Sequence, residues 1–297
     1  MKNINKNKVL GRSLLADIII HLVVLMFGII TIVPFIHIFN ASISEPEKIL
    51  GKAFVMWPHG FELESYRFIF RNGSLFRAFQ ITLFITVVGT ALNLLFTVTS
   101  AYALSKRDLP GRRGFTTFIV LTIILNAGII PQYMLFVQLK LIDSVWSLVL
   151  VGLVSGYNLL LMRNFFMGLP EEIIESAKID GAHELRIIFQ ILVPLSIPAI
   201  ITVGMFYGLG HWNEFFNGIM FINDSSKWPL QVVLRGIVTQ ADFTQIGGSA
   251  STYIGKKVSV ATIRGAAIIA ATLPVLVALP YLQKYFTKGI VLGGVKE

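Results

Sequence analysis

Apolar residues in this chain gather in long unbroken runs and do not alternate with polar ones. Six runs, near 15–39, 76–104, 115–139, 145–166, 196–222 and 260–285, reach the length needed to cross a bilayer, which takes roughly 20 apolar residues as a helix. A period of two, the mark of a membrane β-barrel, is absent. The predicted fold is an all-α membrane protein with six transmembrane helices, and residues 1–297 form a single transmembrane domain. No internal repeat is visible, which argues against a secondary transporter built from inverted halves.

One charged amphipathic segment interrupts the pattern between the fourth and fifth runs: residues 169–198, LPEEIIESAKIDGAHELRIIFQILVPLSIP. Pro170 suits a first helical position, and Glu171 and Glu172 fall in a first turn, where the helix dipole favours acids. Glu171 and Glu175 share a face, with Lys178 one turn beyond. Ile174 and Ala177 lie close together, and the small Ala lets a partner approach. Asp180-Gly181 ends the helix, since Gly takes a left-handed cap cheaply. A second helical run, 183–192, leads to Pro194 and the next apolar run. The expectation is a helix, a Gly corner and a second helix.

The basic residues set the orientation. Lys2, Lys6, Lys8 and Arg12 precede the first run; Lys106, Arg107, Arg112 and Arg113 crowd the short link between the second and third; Lys284, Lys288 and Lys296 attend the last. With six spans all three clusters lie on one side, and basic loops mark the cytoplasm. Both termini and the 169–198 loop are then cytoplasmic, in a multi-pass protein of the plasma membrane surrounded by lipid. Two longer loops, 40–75 and 223–259, lie outside. In the first, Ser44-Glu45-Pro46 and Trp57-Pro58-His59-Gly60 mark turns, and 63–70 reads as an amphipathic piece on the outer face. The second ends in Gly247-Gly248-Ser249-Ala250-Ser251, either a flexible connector or a contact loop.

Composition agrees: 55% hydrophobic and 14% charged residues, against about 25% charged in a soluble domain. The net charge of +9 is explained by the basic ends of the spans, so no nucleic-acid partner is inferred. The absence of cysteine excludes disulfides and thiolate chemistry. No metal-ligand cluster and no catalytic constellation is present. Gly255-Lys256-Lys257 fails as a P-loop, because Ala250 stands where a Gly is required and no Ser or Thr follows the Lys. The chain therefore needs no cofactor of its own, and any ATP is bound by a partner.

Polar residues within the spans carry the remaining candidate chemistry. Asp17 and His21 are spaced to pair; His37 reads as interfacial; Asn93 and Asn126 are placed to bond between helices; Arg264 can snorkel to water. The densest patch is His211, Trp212, Asn213 and Glu214. It fits a sugar-handling surface lining the substrate pathway, and equally an interfacial aromatic belt.

Glu175-Ser176-Ala177, Ile179-Asp180-Gly181-Ala182, Phe189, Ile191 and Pro194 resemble the EAA loop of ABC importer permeases. That pattern runs E-A-A, three residues, G, nine residues, I-x-L-P, and Gly181 and Ile191 keep its spacing. Ser176 and Val193 depart from it by small changes that preserve shape. Trp212-Asn213-Glu214 and the tail Tyr285-Phe286-Thr287-Lys288-Gly289-Ile290 through Gly293-Gly294-Val295-Lys296 extend the resemblance to maltose-transporter-type carbohydrate permeases. Over nearly the whole chain it is similar to the second permease of lipoprotein-dependent oligosaccharide importers. The resemblance implies a type I importer fold and a partnership with a homologous second permease, two ATPase subunits and an extracytoplasmic sugar-binding lipoprotein. It assigns ATPase coupling to Glu175, Ser176, Ala177, Asp180, Gly181, Ala182 and Phe189, and an approach to the binding protein to the 223–259 loop. The substrate it implies is a carbohydrate, with oligosaccharides expected. The competing expectation, an ion-coupled transporter, requires a midplane ion site and repeat symmetry.

Overall fold

The computed structural model describes residues 14–71, 73–125, 127–239 and 259–294. Every element among them is helical. They fall into two compact units, 1–68 with 251–269, and 69–250 with 270–297.

The first unit holds α1 (Leu14–Ser42), the short α2 (Pro46–Ile49), most of α3 (Glu64–Arg71) and the start of α15 (Val260–Gly294). Over residues 18–36 α1 is apolar and largely exposed, with Val24 and Phe27 each over half accessible. A helix of that kind belongs in lipid. Its last turns are tied down by polar side chains. Val55 N donates to His37 Nδ1 (2.9 Å), Asn40 Nδ2 to Met56 O (2.5 Å), and Ser42 Oγ pairs with Tyr66 OH (2.9 Å). The first turns of α15 join them: Ser65 Oγ donates to Thr262 Oγ1 at 2.8 Å. At Gly265 a Cβ would lie 3.0 Å from Ile38 O, so only Gly permits that approach. Lower on α1, the His21 ring bonds the backbone carbonyl of Asp17, four residues back, at 2.6 Å.

The second unit is organised along α4 (Ser74–Ser105), which at 1.5 Å per residue is about 48 Å long. Packed on it are α12 (Ile197–Trp212), α8 (Gly156–Met167), α7 (Val145–Leu150) and α14 (Leu230–Thr239). Gly204 and Gly208 of α12 face Leu94 and Thr90 of α4; a Cβ would meet them at 3.3 and 3.5 Å. The stripe of small residues brings the two backbones together, as in membrane helix pairs. The remaining elements are α5 (Arg112–Ile124), α6 (Ile129–Gln138), α9 (Glu171–Ile179), α10 (Glu184–Arg186), α11 (Val193–Leu195) and α13 (Phe216–Phe221).

Among the described residues three helices are long and apolar enough to cross a membrane: Asp17–Ser42, Ser74–Ser105 and Val260–Tyr281. Bent pairs add up to two more, α5 with α6, and Glu184–Leu195 with Ile197–Trp212, which meet at 89°. The other expected spans are interrupted. The 145–166 run divides into α7 and α8 around Gly152, whose φ of +67° only Gly adopts easily. The 196–222 run divides into α12 and α13 at residues 213–215. Asn126 lies outside the described residues.

Candidate functional site

At the C-terminal end of α4 the 169–198 segment folds against the bundle. α9 begins at Glu171, so Pro170 occupies the preceding cap position with φ −57° and ψ 128°. That places it one residue earlier than expected, where its missing N–H costs nothing. Gly181 turns the chain with φ +77°, and Ala182 N closes the corner on Ala177 O at 2.9 Å. His183 then caps α10 through Arg186 N, and the helix continues as a π-turn over Ile187–Leu192. Such wide turns concentrate at functional sites.

This segment has two faces. Ala177, Ile187, Ile188 and Leu192 are buried with Tyr102 and Leu104 of α4 and Met162 and Phe166 of α8. Ala177 is thus small because its own bundle packs against it, which differs from the partner contact expected from sequence. Glu172, Glu175, Ser176, Asp180 and Gly181 face outward, with Ile179 at 87% and Phe189 at 46% exposure. Ala182 is partly buried against the same core.

Charges pin the segment in place. Lys106 Nζ reaches Glu184 Oε1 at 2.5 Å, Tyr102 OH donates to Glu184 Oε2, and Arg107 Nε meets Glu171 Oε1 at 3.0 Å. The Lys106 bond first, then that from Tyr102, holds the Glu184 carboxyl below its ordinary range. A cavity of about 260 Å³ remains beside them, its lining including Lys106, Arg107, Ile174, Glu175 and Lys178. Among the described residues no cation lies within ion-pair distance of Glu175.

Midway along α4 sits a polar network. Asn93 Nδ2 donates to Leu153 O (2.7 Å) and Gly152 O (3.3 Å), and its Oδ1 meets His211 Nε2 at 2.7 Å. With the Asn93 amide nitrogen spent on carbonyls, His211 Nε2 is the proton donor. Ser155 N donates to Tyr207 OH (2.9 Å), which also pairs with Thr97 Oγ1 (2.8 Å). These bonds satisfy backbone groups freed by the 151–155 break, which lipid could not do. Gly89 makes room for the imidazole; a Cβ there would lie 2.5 Å from Nε2.

At the N-terminal end of α4, Leu230 N donates to Thr82 Oγ1 at 2.8 Å in a buried bond, seating α14 beside α4. The 143–228 joint is built on carboxylate-to-backbone bonds. Asp143 Oδ1 accepts from Asp224 N (2.9 Å) and Asn223 N (3.2 Å), while Lys227 Nζ reaches Oδ2 at 2.9 Å. The Asp224 N–H first, then Lys227, lowers the Asp143 carboxyl pKa, and Asp143 in turn raises that of Lys227.

The four expected pathway residues separate here. His211 belongs to the midway network. Trp212 is buried, edge-on to Phe79 at 5.9 Å between centroids. Asn213 is exposed, its amide bonded to Leu209 O at 2.9 Å. Glu214 caps α13, accepting from Asn217 N and Asn217 Nδ2, both at 3.0 Å. Arg235, absent from the sequence reading of the site, stacks over Phe215 in the same break, 4.6 Å from the ring centroid. Its signal was a lone cation in an otherwise apolar helix. Glu184 was also missed; a carboxylate just after the Gly corner, with basic residues waiting at 106–107, was its signal. Residues 240–258, with the Gly/Ser run and Gly255-Lys256-Lys257, lie outside the described residues.

The sequence profile described as "Binding-protein-dependent transport system inner membrane component" matches residues 82–292. The chain belongs to this family. It is an ABC importer permease, an inner-membrane subunit; ATP hydrolysis occurs in a separate subunit, and a binding protein serves the system. Among relatives, the polygalacturonan/rhamnogalacturonan transport system permease protein YtcP of Bacillus subtilis is 39% identical over 96% of this chain and 99% of its own. Protein LplC of the same organism is 40% identical over 91% and 90%. In structure the chain resembles a subunit of a bacterial ABC transporter involved in import of the acidic polysaccharide alginate. The TM-score is 0.87 at 30% identity, covering 94% of this chain and all of that one. The family's all-helical type I permease fold is thus present, and nothing supports an ion-coupled mechanism.

Proposed function

We propose that this permease forms half of the translocation pathway for an oligosaccharide, and that the Gly181 corner couples it to ATP hydrolysis. The observation that carries the coupling role is the division of α9 into a buried face and a free one. Ala177 anchors the helix in the bundle core, while Glu175, Ser176, Ile179, Asp180 and Gly181 project away with Phe189. A rigidly seated helix with an unpaired carboxylate and exposed apolar side chains suits docking to a basic, apolar cleft on an ATPase. Closure of two ATPase subunits on ATP would then move the corner and, through the shared core, α4 and α8. A ligand acting through a two-state element of this kind is what coupling requires.

The carbohydrate cargo rests on the relatives, whose printed names include polygalacturonan/rhamnogalacturonan transport, and on the alginate importer. In this reading the 169–198 loop and both termini are cytoplasmic, the chain crosses the membrane six times with its later spans broken, and a second permease completes the pathway. A sugar-binding lipoprotein would dock at the 223–259 loop. ATP stays with the ATPases, and the permease needs no cofactor or metal.

The test is the reconstituted complex in proteoliposomes, with its binding protein, scored by oligosaccharide-stimulated ATP hydrolysis. Glu175→Ala should weaken ATPase capture in a pull-down by about tenfold or more, since a charge-assisted bond contributes about 1.5–3 kcal/mol. Wild-type capture would remove Glu175 from the interface. Absence of stimulation by any oligosaccharide would remove the carbohydrate reading.

A further inference from the structure

Among the described residues, Arg235 is a cation held in place whose donors meet no hydrogen-bond acceptor. α14 buries Leu230, Val233 and Ile237 against the bundle and leaves Arg235 exposed on the opposite side. One turn earlier, Gln231 Nε2 donates to Trp212 O at 3.4 Å, which ties α14 to the end of α12. The guanidinium lies over the Phe215 ring at 4.6 Å. A cation–π contact of that kind holds the group against the ring and leaves its N–H donors free for other partners.

Among the described residues three cations of this unit meet carboxylates, Lys227 with Asp143 and Asp224, Lys106 with Glu184 and Arg107 with Glu171, while Arg163 donates to Leu104 O and Arg186 to Gln190 Oε1. Arg235 meets none among the described residues. The carboxylate next to its stacking partner, Glu214, has both oxygens engaged by Asn217. So the break at 213–215 carries an aromatic ring with a guanidinium over it and, two residues before the ring, the exposed Asn213.

We infer that Arg235 recognises the carboxylate of a uronic-acid residue in the transported oligosaccharide. A guanidinium fork matches a carboxylate in two parallel bonds, and Phe215 beside it offers an apolar surface to the sugar ring. Asn213 is placed to donate to or accept from a hydroxyl. The inference rests on the carbohydrate reading above and narrows it to acidic sugars.

The experiment uses the permease–ATPase complex in nanodiscs without its binding protein. Two probes are titrated: a defined oligogalacturonate, and the same oligomer fully methyl-esterified and therefore neutral. The wild-type complex should bind the acid about tenfold or more tightly than the ester. Arg235→Gln should abolish that preference and leave ester binding unchanged; Arg235→Lys, which keeps the charge and loses the fork, should fall between them. Equal affinity of the wild type for the two probes, equal loss of both in Arg235→Gln, or binding of neither overturns the inference. Binding of neither probe would still leave the carbohydrate reading to its own assay, stimulation of ATP hydrolysis with the binding protein present.

Discussion

The two ends of α4 handle charge in opposite ways. At its C-terminal end, acids pair with basic side chains: Glu184 with Lys106 and Glu171 with Arg107. Glu175, like Glu172 and Asp180, pairs with no cation among the described residues. At its N-terminal end, acids bond mainly to backbone N–H groups, Asp143 to 223 and 224, Asp224 to Ser226, Glu214 to Asn217, and Arg235, like Arg77, meets no carboxylate among the described residues. Charges already satisfied within the chain hold its shape. In the proposed reading, Glu175 at one end meets a basic partner and Arg235 at the other an acidic one.

The largest expected effect at the C-terminal end comes from Ala177→Asp. Ala177 is 7% exposed among Tyr102, Phe166 and Ile187, and an unpaired buried carboxylate there costs about 3 kcal/mol or more. The loop should detach from the bundle, lowering the melting temperature of the purified permease and eliminating ATPase capture. Loss of capture with unchanged melting would instead return Ala177 to the partner contact read from sequence.

Gly181→Asp separates the same two roles at a smaller structural cost. No atom lies within 4 Å of a Cβ built at Gly181, so only its φ of +77° penalises a side chain. That strain is on the order of 1 kcal/mol. The variant should insert and melt nearly as wild type yet transport nothing, because the new side chain occupies space the ATPase needs. Wild-type stimulation of ATP hydrolysis would show the corner to be a mere connector.

Local signals explain why this corner was legible in the sequence and the membrane breaks were not. The amphipathic spacing of 171–179 and the Asp180-Gly181 stop are read within a dozen residues, and α9 and the left-handed Gly181 appear where they point. The break after α7 depends on Asn93, some sixty residues earlier, which supplies donors to Gly152 O and Leu153 O. Apolar run length carries no trace of such a bond. His211 is likewise placed by a distant residue, its Nε2 on Asn93 in the space left by Gly89. Arg235 and Phe215 come from segments that meet only after α14 folds against α4.

Glu184→Gln tests the pairing at the C-terminal end more gently. Lys106 is 24% and Glu184 52% exposed, and pairs that open to water contribute about 1 kcal/mol or less. Because Lys106 and Tyr102 lower the Glu184 pKa on folding, the contribution is complete above the unfolded value near 4.3. It is lost as the pH falls through the folded value. The protection of 169–198 against hydrogen exchange, taken relative to the intrinsic rate at each pH, should therefore be the same at pH 7 as at pH 6 and fall only in acid below about 4. In Glu184→Gln the exchange should be faster at neutral pH and lack the acid step. An acid step that survives the substitution would assign it to another carboxylate.

The smallest effect is expected at the other end, from Glu214→Gln. The two carboxylate oxygens accept from Asn217 N and Asn217 Nδ2. Glutamine keeps one acceptor for the backbone N–H, and the Asn217 amide can turn its oxygen toward the new NH₂, so both hydrogen bonds survive. What is lost is the attraction of a full charge for the start of α13, worth about 0.3–1 kcal/mol at most. Uptake and sugar preference should change little, in contrast to Arg235→Gln. Glu214 precedes Phe215 in the chain and Arg235 lies over its ring, so each variant controls for disturbance of the break itself. A large change in selectivity in Glu214→Gln, with melting unaffected, would mean that the carboxylate faces the sugar and that the cap is incidental. The rule drawn from the two ends of α4 would then fail at this residue, since a satisfied charge would be doing the recognising.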